Sequence, residues 1–373
     1  MAIPGTIQTY DLATGIKLDI EDMIWLIDPF DTPLQGTYGA DDLTTVASET
    51  VFEKKFEWLD ENLLTPRSSI AAQALTGATY IQLPSGYGIH FQTGDVILVD
   101  SEQMYVTGYG TTADTLTVTR GFNGTTAQTV NTGDVVVGLG SALPEGSNPP
   151  SARAVDRTDR YNYTQIFGPY AVTVSGTENV VQKYGLKSTE FDHQVANRVK
   201  EAAIAQEQAF IYGAASAGSG STGRTTGGMD SFITVNVDNS TTSLSDSALL
   251  ALLQDCFIAG GSPDRLMVGP KQKSAVSGLD SSNIRYQQMT NARGQKVDYY
   301  DSDFGRLTVV LNRWLRVNNA YIFSRDQAAI CTLRPLTFEM LAKTGDATTG
   351  QVVSEKGFKF RLPTHAAKFT ALT

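Results

Sequence analysis

Residues 188–214, STEFDHQVANRVKEAAIAQEQAFIYGA, constrain the fold more than any other stretch of the chain. Phe191, Val195, Val199 and Ala202 recur at helical spacing, with Ala196, Ala203 and Phe210 as a flanking stripe. Ser188 or Thr189 supplies an N-cap, Glu190 and Asp192 suit the first turn, and Gly213 stops the run. From Thr189 to Tyr212 such a helix extends ~36 Å at about 1.5 Å per residue. The 34 glycines, mostly beside Ser and Thr, mark a remainder rich in turns and strands, so the class is α+β.

Immediately after the helix, SAGSGSTGRTTGG (Ser216–Gly228) places Gly218, Gly220 and Gly223 in a G-x-G-x-x-G pattern. A dinucleotide turn follows a strand and opens a helix, so that the helix N-terminus faces the pyrophosphate. Here the glycines follow a helix C-terminus, and the stretch reads as a hinge. Beyond it, SDSALLALLQDCFIAGG predicts a capped helix with Leu249, Leu252, Leu253, Cys256 and Phe257 facing inward. DRLMVG predicts a buried strand, and Pro270 opens a further helix at its favoured first position. VDYYDSDFGRLTVVLNRWL, NAYIFSR, AAICTLRPLTFEML and the alternating tail GQVVSEKGFKFRLPTHAAKFTAL read as strands.

Upstream, residues 1–48 hold one apolar cluster, MIWLIDPFDTPL, in which Pro29 and Pro33 allow only a short helix and then an extended segment. In TVFEKKFEWLDENL (Thr50–Leu63), Phe52, Phe56 and Trp58 alternate with Glu53, Lys55 and Glu57, which predicts an amphipathic strand. Its aromatics serve either the subunit's own core or a neighbouring subunit, and both readings stand. RYNYTQIFGPYAVTVSG is also extended and is expected to pair with that strand as a long hairpin. Between them, residues 70–141 repeat TGDVILVD (Thr93–Asp100) as TGDVVVGL (Thr132–Leu139) among short β-branched runs, the pattern of a small inserted barrel or sandwich.

Signals for chemistry are few. The net charge of −10 and the absence of Lys/Arg runs argue against tight binding to duplex DNA. Cys256 and Cys331 make neither a disulfide framework nor a zinc site, and no cofactor or metal ligand set is evident. The opening residues lack a signal-peptide pattern, and no apolar run reaches the ~20 residues of a membrane helix, so no membrane association is expected. Of three histidines, His193 follows Asp192 on the long helix with no nucleophile nearby. Asp303-Phe304-Gly305 lacks the other kinase elements. Asp95, Asp100, Glu102 and Asp134 invite a calcium reading, but the two Gly-Asp pairs open strands, where such residues shape turns. No catalytic residue is assigned and the chain is not read as an enzyme.

Taken in order, IDPFDTPL, FEWLDENL, NYTQIFGPYAVTVSGTENVVQKYG, the long helix, RLMVGPKQKSAVSGL and YYDSDFGRLTVVLNRWL resemble the major capsid proteins of tailed double-stranded DNA phages, a fold shared with encapsulins. The resemblance implies an N-terminal arm (1–48), an extended two-stranded loop (49–69 and 142–178), a peripheral domain (179–228 and 333–373) with a spine helix over 188–213, and an axial domain (229–332). Residues 70–141 depart from the minimal pattern as an inserted β domain. The implied function is self-assembly into hexamers and pentamers of an icosahedral head shell around the genome, in the virion, after synthesis and assembly in the host cytoplasm. Implied partners are further copies of the chain, with portal, scaffolding and decoration proteins and weak inner-surface contacts to packaged DNA. Candidate assembly residues are Ile27, Pro29 and Leu34 in the arm, and Phe52, Lys54, Lys55, Phe56 and Trp58 in the loop; cutting residues 1–40 is expected to block assembly and leave a folded subunit. An encapsulin-like compartment, a carbohydrate-binding or carbohydrate-active protein using the β insertion, and a tail component are the rival readings.

Overall fold

The computed structural model describes residues 30–36, 46–110, 112, 114–148, 156–183, 186, 188–279, 289–290 and 296–373. These fall into two compact units, one formed by residues up to Glu57 together with Tyr161–Thr373, the other by Trp58–Arg160.

In the first unit the long helix spans Glu190–Tyr212. Thr189 Oγ1 caps it by accepting from the Asp192 amide at 3.3 Å, and Gly213 ends it. It packs on a four-stranded sheet whose order is Ala47–Thr50, Ala328–Met340, Ala347–Phe360 and Gln165–Ser175. Phe210 is the centre of that contact: its ring stacks on Phe358 at 5.8 Å and meets Phe167 edge-on at 6.0 Å. The expected apolar stripe is only partly inward. Phe191, Ala202, Ala203 and Phe210 are buried, Val195 and Val199 half-buried, and Ala196 is exposed, while Gln206 and Glu207 take buried positions instead.

A second sheet runs in the order Val237–Asp238, Ala367–Phe369, Ala320–Phe323, Arg265–Val268, Gly305–Leu311, Lys296–Ser302 and Met289–Thr290. Arg265–Val268 is buried at every position because it lies between a parallel and an antiparallel neighbour under the helix Asp246–Ile258. That helix buries Leu249, Leu252, Leu253 and Cys256, but not Phe257. One residue past Cys256 the helix has turned about 100°, so Phe257 faces outward and rests against Phe304 at 5.6 Å. Asp303-Phe304-Gly305 is the turn of a hairpin between Lys296–Ser302 and Gly305–Leu311, with Gly305 at φ +134°.

The glycine stretch after the long helix is tied down rather than hinge-like. Ser216 and Thr225 exchange backbone hydrogen bonds, Gly218 turns at φ +68°, and the Gly228 amide donates to Gly213 O at 2.8 Å.

Thr50–Leu63 is not one strand. Ala47–Thr50 lies parallel to Ala328–Met340, whereas Lys55–Asn62 pairs with Asp156–Tyr163 in a two-stranded ribbon. The chain changes partner between them and bends at Phe52–Lys54, which turns Phe52 outward.

The second unit is a six-stranded sheet in the order Arg67–Ser69, Val135–Ser141, Asp95–Val99, Glu102–Tyr109, Thr115–Thr119 and Tyr80–Gln82. The Ala71 amide donates to Gln82 O at 2.8 Å and Ala72 bridges Gln82, so the two edges meet and the sheet closes around Ile81, Phe91, Ile97, Met104, Leu116 and Val136. The repeated Thr-Gly-Asp-Val encodes one device twice. Gly94 and Gly133 adopt φ +97° and +95°, and the following aspartates accept the amides of Gln92 (2.7 Å) and Asn131 (2.6 Å), closing the turn before each strand. Glu102 is fully buried. It accepts from Arg120 Nε at 2.8 Å, Arg120 Nη2 at 2.6 Å, and the Gly121 and Gln128 amides. Burial opposes its charge, but the guanidinium and the two amides outweigh that and hold the carboxyl below the usual range.

Glu102→Ala leaves the Gly121 and Gln128 amides without their acceptor and Arg120 with only the Leu75 and Gln128 carbonyls, so it is expected to destabilise this unit by about 3 kcal/mol. Denaturant unfolding of the full chain, with a probe in residues 58–160, measures the loss.

Candidate assembly site

Both strands of the ribbon change sheet partners at the same level, where the Thr164 amide donates to Lys54 O at 2.8 Å. Above this root the ribbon alternates as a strand must. Phe56 is buried, with its ring on Gly357, where a Cβ would stand 2.6 Å from Phe56 Cε1. Trp58 is also buried, whereas Leu59 faces solvent. Lys55 is ion-paired to Glu57 and lies 4.6 Å over the Tyr161 ring. Phe52, 94% exposed, and Lys54 project from the bend.

Around the root, three buried side chains hold irregular segments of the chain. Asn162 Nδ2 donates to Thr226 Oγ1 (3.1 Å), Gly227 O (2.9 Å) and Phe358 O, while its oxygen accepts the Gly227 amide at 2.7 Å. Glu355 accepts from Thr164 Oγ1 at 2.8 Å and pairs with Arg224 of the glycine stretch and with Arg334 at 3.1 Å. Asn162 and the Arg224–Glu355 pair therefore fasten the glycine stretch to the ribbon root.

Glu207 does the same for the arm. Its Oε1 accepts from the Leu34 amide and Asn312 Nδ2, both at 2.8 Å, and its Oε2 from the Gln35 amide at 3.3 Å and Gln35 Nε2 at 3.2 Å. Trp314 Nε1 donates to Asp31 O at 2.7 Å, and Arg313 pairs with the Asp31 carboxylate at 2.7 Å. Burial pushes the Glu207 carboxyl up to about 7, against the pull of its four N–H donors.

Of the arm residues proposed from sequence, Ile27 and Pro29 lie outside the described residues. Leu34 is buried in the subunit's own aromatic core. A cut at residue 40 would therefore remove part of that core and strip Glu207 of its Leu34 and Gln35 donors, so a fully folded subunit is not expected from it. Asn162, Glu207 and Glu355 were missed, since a polar residue on a helix or strand gives no local sign that it faces inward. The one trace is that Glu207 stands four residues after Ala203 and three before Phe210, on their stripe.

End-to-end structural likeness shows the fold. Similar chains come from Mycobacterium phage Adephagia (11% identity, TM-score 0.53, 99% of each chain) and Mycobacterium phage Cain (11%, 0.51, 99% of each). The capsid of Myoviridae phage XM1 is likewise similar (8%, 0.52, 99% of this chain and 100% of that one). Identities this low establish the shared fold, that of tailed-phage capsid subunits. The family model described as SU10 major capsid protein matches residues 5–373, and the chain belongs to that family. No match is found among curated proteins. The chain is thus a phage shell protein, a self-assembling structural component of the virion.

Glu355→Ala removes the carboxylate that Arg224 and Thr164 Oγ1 share, leaving Arg224 only the Thr164 carbonyl at 3.2 Å, and is expected to cost about 3 kcal/mol. Arg334→Ala, at the half-exposed side of the same carboxylate, is expected to cost about 1 kcal/mol or less. Paired thermal melts test the ordering.

Proposed function

We propose that this chain assembles as hexamers and pentamers into an icosahedral head shell around double-stranded DNA, acting mechanically rather than catalytically. The carrying observation is the family match over residues 5–373. The ribbon supports the same reading. Phe52 (94% exposed), Leu59 (63%) and Leu63 (82%) leave large apolar groups in water on a single subunit, and neighbouring copies are the surfaces that remove them. On this reading the buried Phe56 and Trp58 stiffen the ribbon, while Phe52 and Lys54 meet the neighbour, together with Ile27 and Pro29 of the arm. The acidic balance suits a wall that encloses DNA through weak inner-surface contacts. Portal, scaffolding and decoration proteins would complete the particle, which would assemble in the host cytoplasm.

The full chain expressed alone is expected to give closed shells, or rings of five and six subunits, by negative-stain microscopy and size-exclusion chromatography. Phe52→Asp is expected to abolish shells while leaving the subunit's melting temperature within ~2 °C, since surface changes are worth roughly ±0.5 kcal/mol. A stable 40 kDa monomer under all assembly conditions would refute the shell reading, and normal shells from the variant would refute the role of Phe52.

A further inference from the structure

The acceptor at the centre of the arm clamp is a carboxyl, although all four of its partners are neutral N–H donors. Its two oxygens are held unequally. Oε1 takes both 2.8 Å bonds, from the Leu34 amide and Asn312, whereas Oε2 takes only the 3.2 and 3.3 Å contacts from Gln35. A proton on Oε2 therefore disturbs the weaker pair. Gln35 Oε1 is buried, has no hydrogen-bond partner among the described residues, and shares its amide carbon with the Nε2 that touches Oε2. Gln35 Nε2 is fixed by a second bond, to Ala203 O at 2.8 Å, which holds the amide in that orientation.

We propose that Glu207 is a proton-operated latch for the turn Asp31–Gly36: protonated on Oε2 it seats the turn on the long helix, and losing that proton loosens it. The charged groups on the packed elements are otherwise engaged. Asp31 of the arm pairs with Arg313 of the Asn312–Arg316 turn, Arg316 lies 4.6 Å over the Tyr212 ring, and Lys200 lies 4.7 Å over the Phe30 ring. Lys356 of the sheet donates to Gln206 Oε1 at 3.0 Å. Titration of the latch thus belongs to Glu207 itself. Its carboxyl, ordinarily near 4.5, is pushed up to about 7 by burial. An acid whose folded value is raised contributes stability that is fully present below its ordinary value and is lost as pH rises through the raised one. The turn is therefore held most firmly in mild acid and released above neutrality.

Hydrogen exchange by mass spectrometry on the full-length protein tests this, reading the peptide that carries the Leu34, Gln35 and Gly36 amides and correcting for intrinsic exchange. Protection in the unmodified chain is expected to fall roughly tenfold or more between pH 5.5 and 8.5. Glu207→Gln, which cannot titrate and can place its amide N–H on Gln35 Oε1, is expected to show no such fall. His193→Gln, on the same helix with its ring against Asn197, is expected to keep the full effect. Constant protection in the unmodified chain, an equal fall in Glu207→Gln, or loss of the effect in His193→Gln would each overturn the latch. The first and third arms decide the question even if Glu207→Gln fails to fold.

Discussion

Backbone amides outside helices and sheets need acceptors once they are buried, and this constraint governs the first unit. The arm turn, the ribbon root and the glycine stretch all cross the aromatic core as irregular segments of the chain. Their amides and side-chain donors are met by Glu207, Glu355 and Asn162, and by the backbone carbonyls around them. Each of these side chains stands on a regular element: the long helix, an interior strand of the sheet, or the ribbon. Regular structure thus provides fixed points, and irregular chain is hung from them. Glycine makes the closeness possible at the junction of helix and loop, where a Cβ on Gly228 would stand 2.7 Å from Ala209 O.

Much of the regular structure is legible in the residues. Thr189, Gly213, Ser245 and Pro270 mark helix ends at the positions they occupy, because capping depends on one side chain and its own backbone. The repeated Thr-Gly-Asp-Val is legible for the same reason: a positive-φ glycine and an aspartate that accepts an amide three residues back form a local unit. Failures begin where orientation depends on distant chain. Phe257 is apolar and one residue from the buried Cys256, yet it faces Phe304 across a hairpin that no local pattern announces. Phe52 fits the alternation of Phe56 and Trp58, but the partner switch at the bend breaks the period. The inward positions of Glu207 and Glu355 follow from what crosses them, and that information lies 173 residues away for Leu34 and 131 for Arg224.

Identities of 8–11% over whole chains with TM-scores just above 0.5 fit this division. What the fold requires is an apolar stripe on the long helix, a strand pattern in each sheet and acceptors near the crossing segments. Many residue sets satisfy those requirements, since volume and patterning carry a core further than identity does. The particular acceptors of this chain consequently have to be read from its own geometry and cannot be transferred from its relatives.

The same logic separates holding a subunit together from joining subunits. Successive side chains of a strand point to opposite faces. Along Lys55–Asn62, Phe56, Trp58 and Asp60 are buried, whereas Glu57, Leu59 and Glu61 are exposed. Charge on the exposed face is largely matched within the ribbon, Lys55 with Glu57 and Arg157 with Glu61. Exposed pairs of this kind contribute little to the subunit's stability. They do, however, leave Leu59 set among paired charges, so a surface laid over it would bury no unpaired ion of these two pairs.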